Sequence, residues 1–317
     1  MAKPKVSFLI PVYNGERYLA ECLDSILAQD FADMEILLAD DGSTDGSPAL
    51  LERYAAMDRR IRWWKNPRNL GLTGNFNCCL AAARGEYVKF VLQDDKLVSP
   101  AAVRRMVELL DADAGIALVA SAAQLLDDES CVTEIRDTFK SGTRPGLQTI
   151  HDYLKHAVIN HIGEPSVVMF RRAVAGRGFD PRYRQLVDLE MWIHLLAEHR
   201  FAYLSEPLCA FRQHSAQQTA VNRRRIAPGT EELMLLADCR RQRWFPQITT
   251  RGLLFANIHK YGHLPNASGQ QLMAVFKREL GPGWHVFFWT QRKLINPLHK
   301  LARWLYHAAT GKPKRKN

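Results

Sequence analysis

The sequence contains no Cys-x-x-Cys pair. Its six cysteines, Cys22, Cys78, Cys79, Cys131, Cys209 and Cys239, lack the spacing of a zinc ribbon or a thioredoxin-like redox motif. No Gly-x-Gly-x-x-Gly follows a strand-like run, which excludes the dinucleotide fingerprint of dehydrogenases. No apolar run approaches the ~18 residues that span a bilayer. The opening "MAKPKVSFLIPVYNGERY" is too short in its apolar run for a secretory signal and is broken by Pro11. These absences lead to the expectation of reduced thiols and a cytoplasmic protein. No internal repeat or low-complexity block precedes the final "GKPKRKN".

What is present is an ordinary globular balance: 317 residues, 47% hydrophobic and 24% charged. The net charge of +10 is unevenly spread. Residues 221–317 hold 18 Lys and Arg against 4 Asp and Glu, whereas residues 1–220 hold 25 against 29. A mildly acidic front and a strongly basic rear imply different partners for the two, and the shift sets an expected domain boundary at 220/221.

The front alternates strand-like and helix-like segments. "KVSFLIPVY" reads as a buried strand and "GERYLAECLDSILAQ" as an amphipathic helix with Leu19, Leu23, Ile26 and Leu27 on one face. "MEILLADD" reads as a second strand, and "SPALLERYAA" as a helix with Ser47 at its N-cap and Pro48 at its first position. "IRWWKN" is a short strand, "TGNFNCCLAAARG" a helix stopped by Gly85, and "YVKFVLQDD" another strand. This alternation predicts an α/β fold, a mostly parallel Rossmann-like sheet flanked by helices, followed by a helical appendage. Ligands of such sheets bind beyond the carboxyl ends of the strands. Three polar clusters fall there: "PVYNGE", "DDGSTDGS" and "QDD".

Each cluster has a plain structural reading beside a chemical one. Asp40 and Asp41 before Gly42 suit a turn, or a carboxylate that accepts from a nucleobase imide with Tyr13 stacked on the same base. Asp94 and Asp95 end a buried run, so like charges stand side by side and need a positive partner or solvent. Hard oxygen donors there suit Mg²⁺ or Mn²⁺ bridging a substrate's phosphates. Asp188, in "RQLVDLEMWIHLLAEH", suits a helix cap or a general base for an attacking hydroxyl. In "FRQHSAQQT", Arg212 and His214 are either loop residues or donors to a leaving diphosphate.

"FLIPVYNGERYLAECLDSILAQ", "EILLADDGSTDGS", "NLGLTGNFNCCLAAARGEYVKFVLQDD" and "VDLEMWIHLL", in that order and spacing, resemble family 2 glycosyltransferases, inverting enzymes of GT-A fold. The resemblance covers about Lys5 to Thr219. It implies that Pro11, Val12 and Tyr13 line the nucleobase and ribose, with Glu16, Asn77 and Gln93 in the same nucleotide-sugar site. It further implies that Asp41 binds the base, most often uracil, and that Asp94 touches the ribose. Asp95 would hold the divalent metal, Asp188 act as catalytic base, and Arg212 and His214 close over the diphosphate. The chain departs from the family pattern twice. Leu92 replaces the leading acid of Asp-x-Asp-Asp, and Asn75-Phe76-Asn77 stands where Ala-Arg-Asn is common, which removes one expected phosphate-side charge.

The expected activity is therefore transfer of a sugar from a nucleotide-sugar donor, a UDP-sugar foremost, to a hydroxyl of a glycan or lipid-linked acceptor in bacterial cell-surface polysaccharide, lipopolysaccharide or glycolipid synthesis. Sugar-phosphate nucleotidyltransferases, one alternative, resemble one another in a Gly-x-Gly-Thr-Arg loop that "PVYNGE" does not match. A non-catalytic, nucleotide-sugar-binding relative is the other. In the rear segment Leu294, Leu298, Leu301 and Leu305 form a stripe on a basic helix, which reads either as an anionic-membrane-surface element or as a helix docked on the catalytic domain. No nucleic-acid motif accompanies its charge. "HIGEPSVVMFRR" is assigned to the acceptor side by its position alone.

Overall fold

A computed structural model describes residues 3–155, 160–214 and 230–245, with single positions at 217, 219, 222, 226 and 270. The chain divides into two units, residues 1–257 and 258–317, and the elements below belong to the first. The expected C-terminal leucine stripe and basic tail lie outside the described residues.

The first half runs β1 (Val6–Val12), α1 (Glu16–Leu27), β2 (Met34–Asp40), α2 (Ser47–Met57), β3 (Ile61–Lys65), α3 (Gly71–Ala82) and β4 (Tyr87–Phe90). Strands pair in the order β3-β2-β1-β4, all parallel, with Val12 beside Asp40 and Asp40 beside Lys65. β1 and β2 are buried at every residue, as central strands covered on both faces must be. α1 turns Leu19, Cys22, Leu23 and Ile26 onto the sheet, at roughly 1.5–3 kcal/mol for each large apolar side chain removed from water. Because the four strands are parallel, the loops after β1, β2 and β3 and the chain after β4 open on one rim.

Helix starts differ from the sequence reading in one respect. Ser47 is the first residue of α2 and does not cap it; Gly46 holds the cap position, and the Ser47 hydroxyl accepts the Gly15 N–H at 2.9 Å. A bond between two loops has taken the side chain that local helix chemistry would use.

The second half is assembled differently. β5 (Lys96–Leu97), α4 (Ala102–Ala112), β6 (Ile116–Leu126), β7 (Val132–Arg136), β8 (Gly142–Pro145) and α5 (Gly146–Lys155) are followed by β9 (Val168–Arg171), α6 (Val187–Leu196) and β10 (Arg200–Arg212). β9 runs antiparallel between β4 and β6, β10 is parallel to β6, and β5 lies antiparallel on β10. The result is a mixed α/β sheet whose parallel ladders carry the rim. α7 (Thr230–Arg240) anchors the approach to α6: Glu231 accepts the backbone N–H groups of Arg184, Gln185 and Leu186 at 2.8–2.9 Å. Asp238 accepts from the Tyr183 hydroxyl at 2.9 Å.

Candidate active site

The loops after β1 and β2 are laced together. Asn14 N–H donates to Ser43 Oγ (2.9 Å), Thr44 N–H to Asn14 Oδ1 (2.8 Å), Glu16 N–H to Asp45 Oδ2 (3.0 Å) and Gly46 N–H to Glu16 Oε2 (2.8 Å). Glu16 thus ties the two loops. Gly42 sits at φ +86°, a left-handed conformation that favours glycine and lets the chain turn directly after the acid pair. Gln93 clamps the Tyr13 backbone in both directions, accepting its N–H at 2.8 Å and donating to its carbonyl at 2.9 Å. Pro11 and Val12 are buried in β1, while Tyr13 is 50% exposed.

Asp41 is buried and saturated by the loop that starts α3. Its Oδ1 accepts Leu70 N–H and Asn66 Nδ2 (both 2.8 Å), and its Oδ2 accepts Gly71 N–H (2.9 Å). The carboxylate therefore meets the positive end of a helix, which fixes its plane. Asn66 in turn donates to Asn75, which donates to the Ala39 carbonyl. Phe76, at the position of the missing arginine, is buried against Phe90 (4.9 Å) and Phe179 (5.3 Å). Asn77 pairs with the backbone N–H and C=O of Phe179 at 2.7 and 2.9 Å.

The adjacent acids diverge. Asp94 is partly exposed, and its Oδ2 meets His214 Nε2 at 2.9 Å. Asp95 is enclosed, 1% exposed; its Oδ1 accepts Arg212 N–H at 2.9 Å and its Oδ2 accepts the Ser166 hydroxyl. Burial first, and then the neighbouring Asp94 charge, push the Asp95 carboxyl well above the usual carboxylate range. Beneath it lies Lys89, fully buried, its ammonium donating to the Ser166 and Phe90 carbonyls; burial pushes its pKa down. Arg212 is turned inward and is 1% exposed. Its guanidinium donates to the carbonyls of Asp94 and Asp127, to Ser130 Oγ and to Glu21, and lies 4.2 Å from the Tyr18 ring centroid. Four of its five N–H donors are spent on framework, so it braces the acid pair. His214 packs on the Tyr18 ring at 5.4 Å and bonds Asp94.

Asp188 is the second residue of α6, held by Leu189 N–H on Oδ1 (2.8 Å) and Asn160 Nδ2 on Oδ2 (2.9 Å). Burial dominates its proton affinity and raises its pKa to about 7; Glu164 adds to the rise, while the bonds from Leu189 and Asn160 oppose it. The short segment Asn160–Ser166 bonds Asp188 at one end and Asp95 at the other. Two acids 93 positions apart in sequence are so brought to one side of the sheet, with Glu164 between them.

The donor set suits a hard divalent ion that arrives with its substrate. Among the described residues no group of three or more His, Cys, Asp or Glu side chains could hold a metal ion. Asp94 and Asp95 alone offer carboxylate oxygens, so a cation there would take its further ligands from phosphate oxygens and water. Asp95, Ser166, Lys89 and Arg212 form one buried network. Of these, the sequence reading missed Ser166 and Lys89, together with Asn160, Asn66 and Glu21. The only signal for Ser166 was its place in "HIGEPSVVMFRR".

With this geometry, the comparisons with known proteins agree. Residues 7–179 match the family described as "Glycosyl transferase family 2". The putative glycosyltransferase EpsE of Bacillus subtilis is 31% identical over 246 residues, 75% of this chain and 83% of its own. Among solved structures, Staphylococcus aureus TarS 1–349 in complex with UDP-GlcNAc superposes with a TM-score of 0.65 at 17% identity, covering 84% of this chain and 78% of that one. The mannosyltransferase PcManGT of Pyrobaculum calidifontis, in complex with GDP-Man and Mn²⁺, gives 0.55 at 19% identity, covering 93% and 86%. The fold is that of GT-A glycosyltransferases. The chain belongs to glycosyltransferase family 2.

Proposed function

We propose that the protein transfers a sugar from a uridine-diphosphate donor to an acceptor hydroxyl in a single displacement that inverts the anomeric centre. The observation that carries this reading is the Asn160–Ser166 segment, which sets an acid of raised proton affinity, Asp188, beside the Asp94–Asp95 rim. Tyr13 offers its exposed ring to the base, and Asp41 retains lone-pair capacity on Oδ2 for an imide N–H. Support for uridine comes from TarS, solved with UDP-GlcNAc and with UDP. PcManGT, solved with GDP-Man, keeps guanosine as the competing base.

Asp188 takes the proton of the acceptor hydroxyl as that oxygen bonds to the anomeric carbon. The bond from that carbon to the diphosphate oxygen breaks, and its electron pair leaves with the nucleotide. An acid with a pKa near the working pH is matched to this task. Asp95 and Asp94, with His214 alongside, would hold Mg²⁺ or Mn²⁺, which when bound supplies positive charge for the departing diphosphate. Arg212 acts on the leaving group only indirectly, by keeping Asp94 and Asp95 in register. Pro11 and Val12 form the floor under Tyr13, Glu16 and Gln93 keep its loop in place, and Asn77 holds the Phe179 backbone.

Cell-envelope glycan synthesis, a lipid-linked acceptor and peripheral contact with the inner face of the cytoplasmic membrane complete the proposal. They draw on the basic rear segment and on relatives such as the putative teichuronic acid biosynthesis glycosyltransferase TuaG of Bacillus subtilis. Among the described residues no helix is long and apolar enough to cross a membrane.

The test is a screen of UDP- and GDP-sugars for binding and slow hydrolysis, with Mn²⁺ and with excess chelator. UDP-sugar turnover that chelation abolishes is the expected outcome. Exclusive response to GDP-sugars, or full activity in chelator, contradicts the donor or the cation assignment respectively.

A further inference from the structure

The Asp188 carboxylate has one bond from its own helix and one from outside it. Leu189 N–H on Oδ1 comes with α6; the Asn160 amide on Oδ2 is supplied by another part of the chain. That amide is not free to turn. Its Oδ1 accepts Gly163 N–H (3.0 Å) and its Nδ2 also donates to Gly163 O (2.9 Å), so the backbone dictates which end of the amide faces Asp188. Gly163 adopts φ +111°, where a side chain would be strained, and its carbonyl receives Trp192 Nε1 from α6 at 3.1 Å. Immediately after this locked turn comes Glu164, its carboxylate held by Arg136 of β7 at 2.7 and 2.8 Å, and then Ser166 on Asp95.

We propose that the Asn160–Ser166 segment is the positioning element of the transfer reaction, in which Asn160 orients and stabilises the Asp188 anion while the Glu164 charge opposes it. This deepens the reading of Asp188 as the base and rests on it. Neither residue touches the reacting atoms; both act through Asp188. Among the described residues few charged and titratable groups face Asp188. Glu164 approaches from the segment with its Arg136 partner. Tyr153 approaches from α5, its buried ring stacked on His161 at 6.1 Å, and Asp95 lies beyond Ser166. On α6 itself Glu190 is turned to Arg177. A hydrogen bond from a neutral amide favours the ionised carboxylate and a like charge disfavours it, so the two residues pull the base in opposite directions.

Stability titrations of the full chain, without substrate or divalent ion, test this. The melting temperature of the wild type is followed from pH 4 to 9 against Asp188→Asn. A carboxyl whose folded pKa is raised binds its proton more tightly folded than unfolded. The wild type's advantage therefore falls as pH rises from the ordinary carboxylate value and levels off at the folded pKa. The same pair of proteins is then made with Asn160→Ala and with Glu164→Gln. The expected levelling point is near pH 7 in the wild type, about one to two pH units higher with Asn160→Ala, and lower with Glu164→Gln. If Asn160→Ala does not fold, Asn160→Ser and the Glu164→Gln pair carry the test. Unmoved levelling points, or displacement of both in the same direction, overturn the proposal while leaving Asp188 as the base. A wild type that levels below pH 5 shows instead that Asp188 is an ordinary acid, and the functional reading itself falls.

Discussion

The two sides of the sheet rim hold their acids in opposite ways. On the side proposed for the nucleotide Asp41 is surrounded by N–H groups from a loop and a helix start, which suits an acceptor of hydrogen bonds. On the side proposed for transfer Asp95 is buried and Asp188 half-buried, with proton affinities raised above those of ordinary carboxylates. Preorganised donors make a recognition site; withheld solvation makes a group that exchanges protons or welcomes a cation. One fold supplies both because the first half folds from local strand–loop–helix units, whereas the second folds from distant pieces.

That contrast is open to attack at several points. The largest effect is expected at the base: Asp188→Asn should cut transfer by about a hundredfold to ten-thousandfold with UDP affinity unchanged, checked by turnover and calorimetry. Equal loss of both would make Asp188 part of the recognition side. Next comes the residue that joins the halves. Arg212→Ala removes a buried cation from Glu21 and the guanidinium bond to the Asp94 carbonyl, while its backbone N–H stays on Asp95, and should cost roughly 3–5 kcal/mol of unfolding free energy in urea. An effect below about 1 kcal/mol, the range of an exposed pair, would deny Arg212 its bracing role. Asp41→Ala strips the cap from α3 and is expected to cost about 0.5–2 kcal/mol of stability, with weakened UDP binding as the larger consequence. Unaltered nucleotide affinity would reduce Asp41 to a helix cap. The smallest effect concerns Ser47→Ala, which loses one loop–loop hydrogen bond worth about 0.5–1.5 kcal/mol; a melting curve displaced by no more than a few degrees is expected.

The same contrast explains what could be read from the sequence. β1 to β4 and their rim loops were legible because each motif is contiguous: "PVYNGE", "DDGSTDGS" and "QDD" follow their strands directly, and a parallel sheet brings such loops to one edge. Asp188 was legible through the family resemblance, not through its surroundings. Its partner Asn160, and the partner Ser166 of Asp95, were not, since a bond across 28 or 71 residues leaves no periodicity or spacing behind. Arg212 shows the reverse limit. Its sequence position suggested a donor to phosphate, but of the five N–H groups of the guanidinium four are satisfied by framework partners inside the protein. Ser47 shows the same in miniature, its hydroxyl drawn from its own helix to the Gly15 backbone.

The most direct test of the account is the pH dependence of kcat/KM with the donor identified by the screen. A base with a pKa of about 7 predicts activity that climbs tenfold per pH unit on the acidic side and bends near pH 7, with the residual activity of Asp188→Asn showing no such bend. A bend below pH 5, or one that persists unchanged in Asp188→Asn, would show that the proton goes elsewhere.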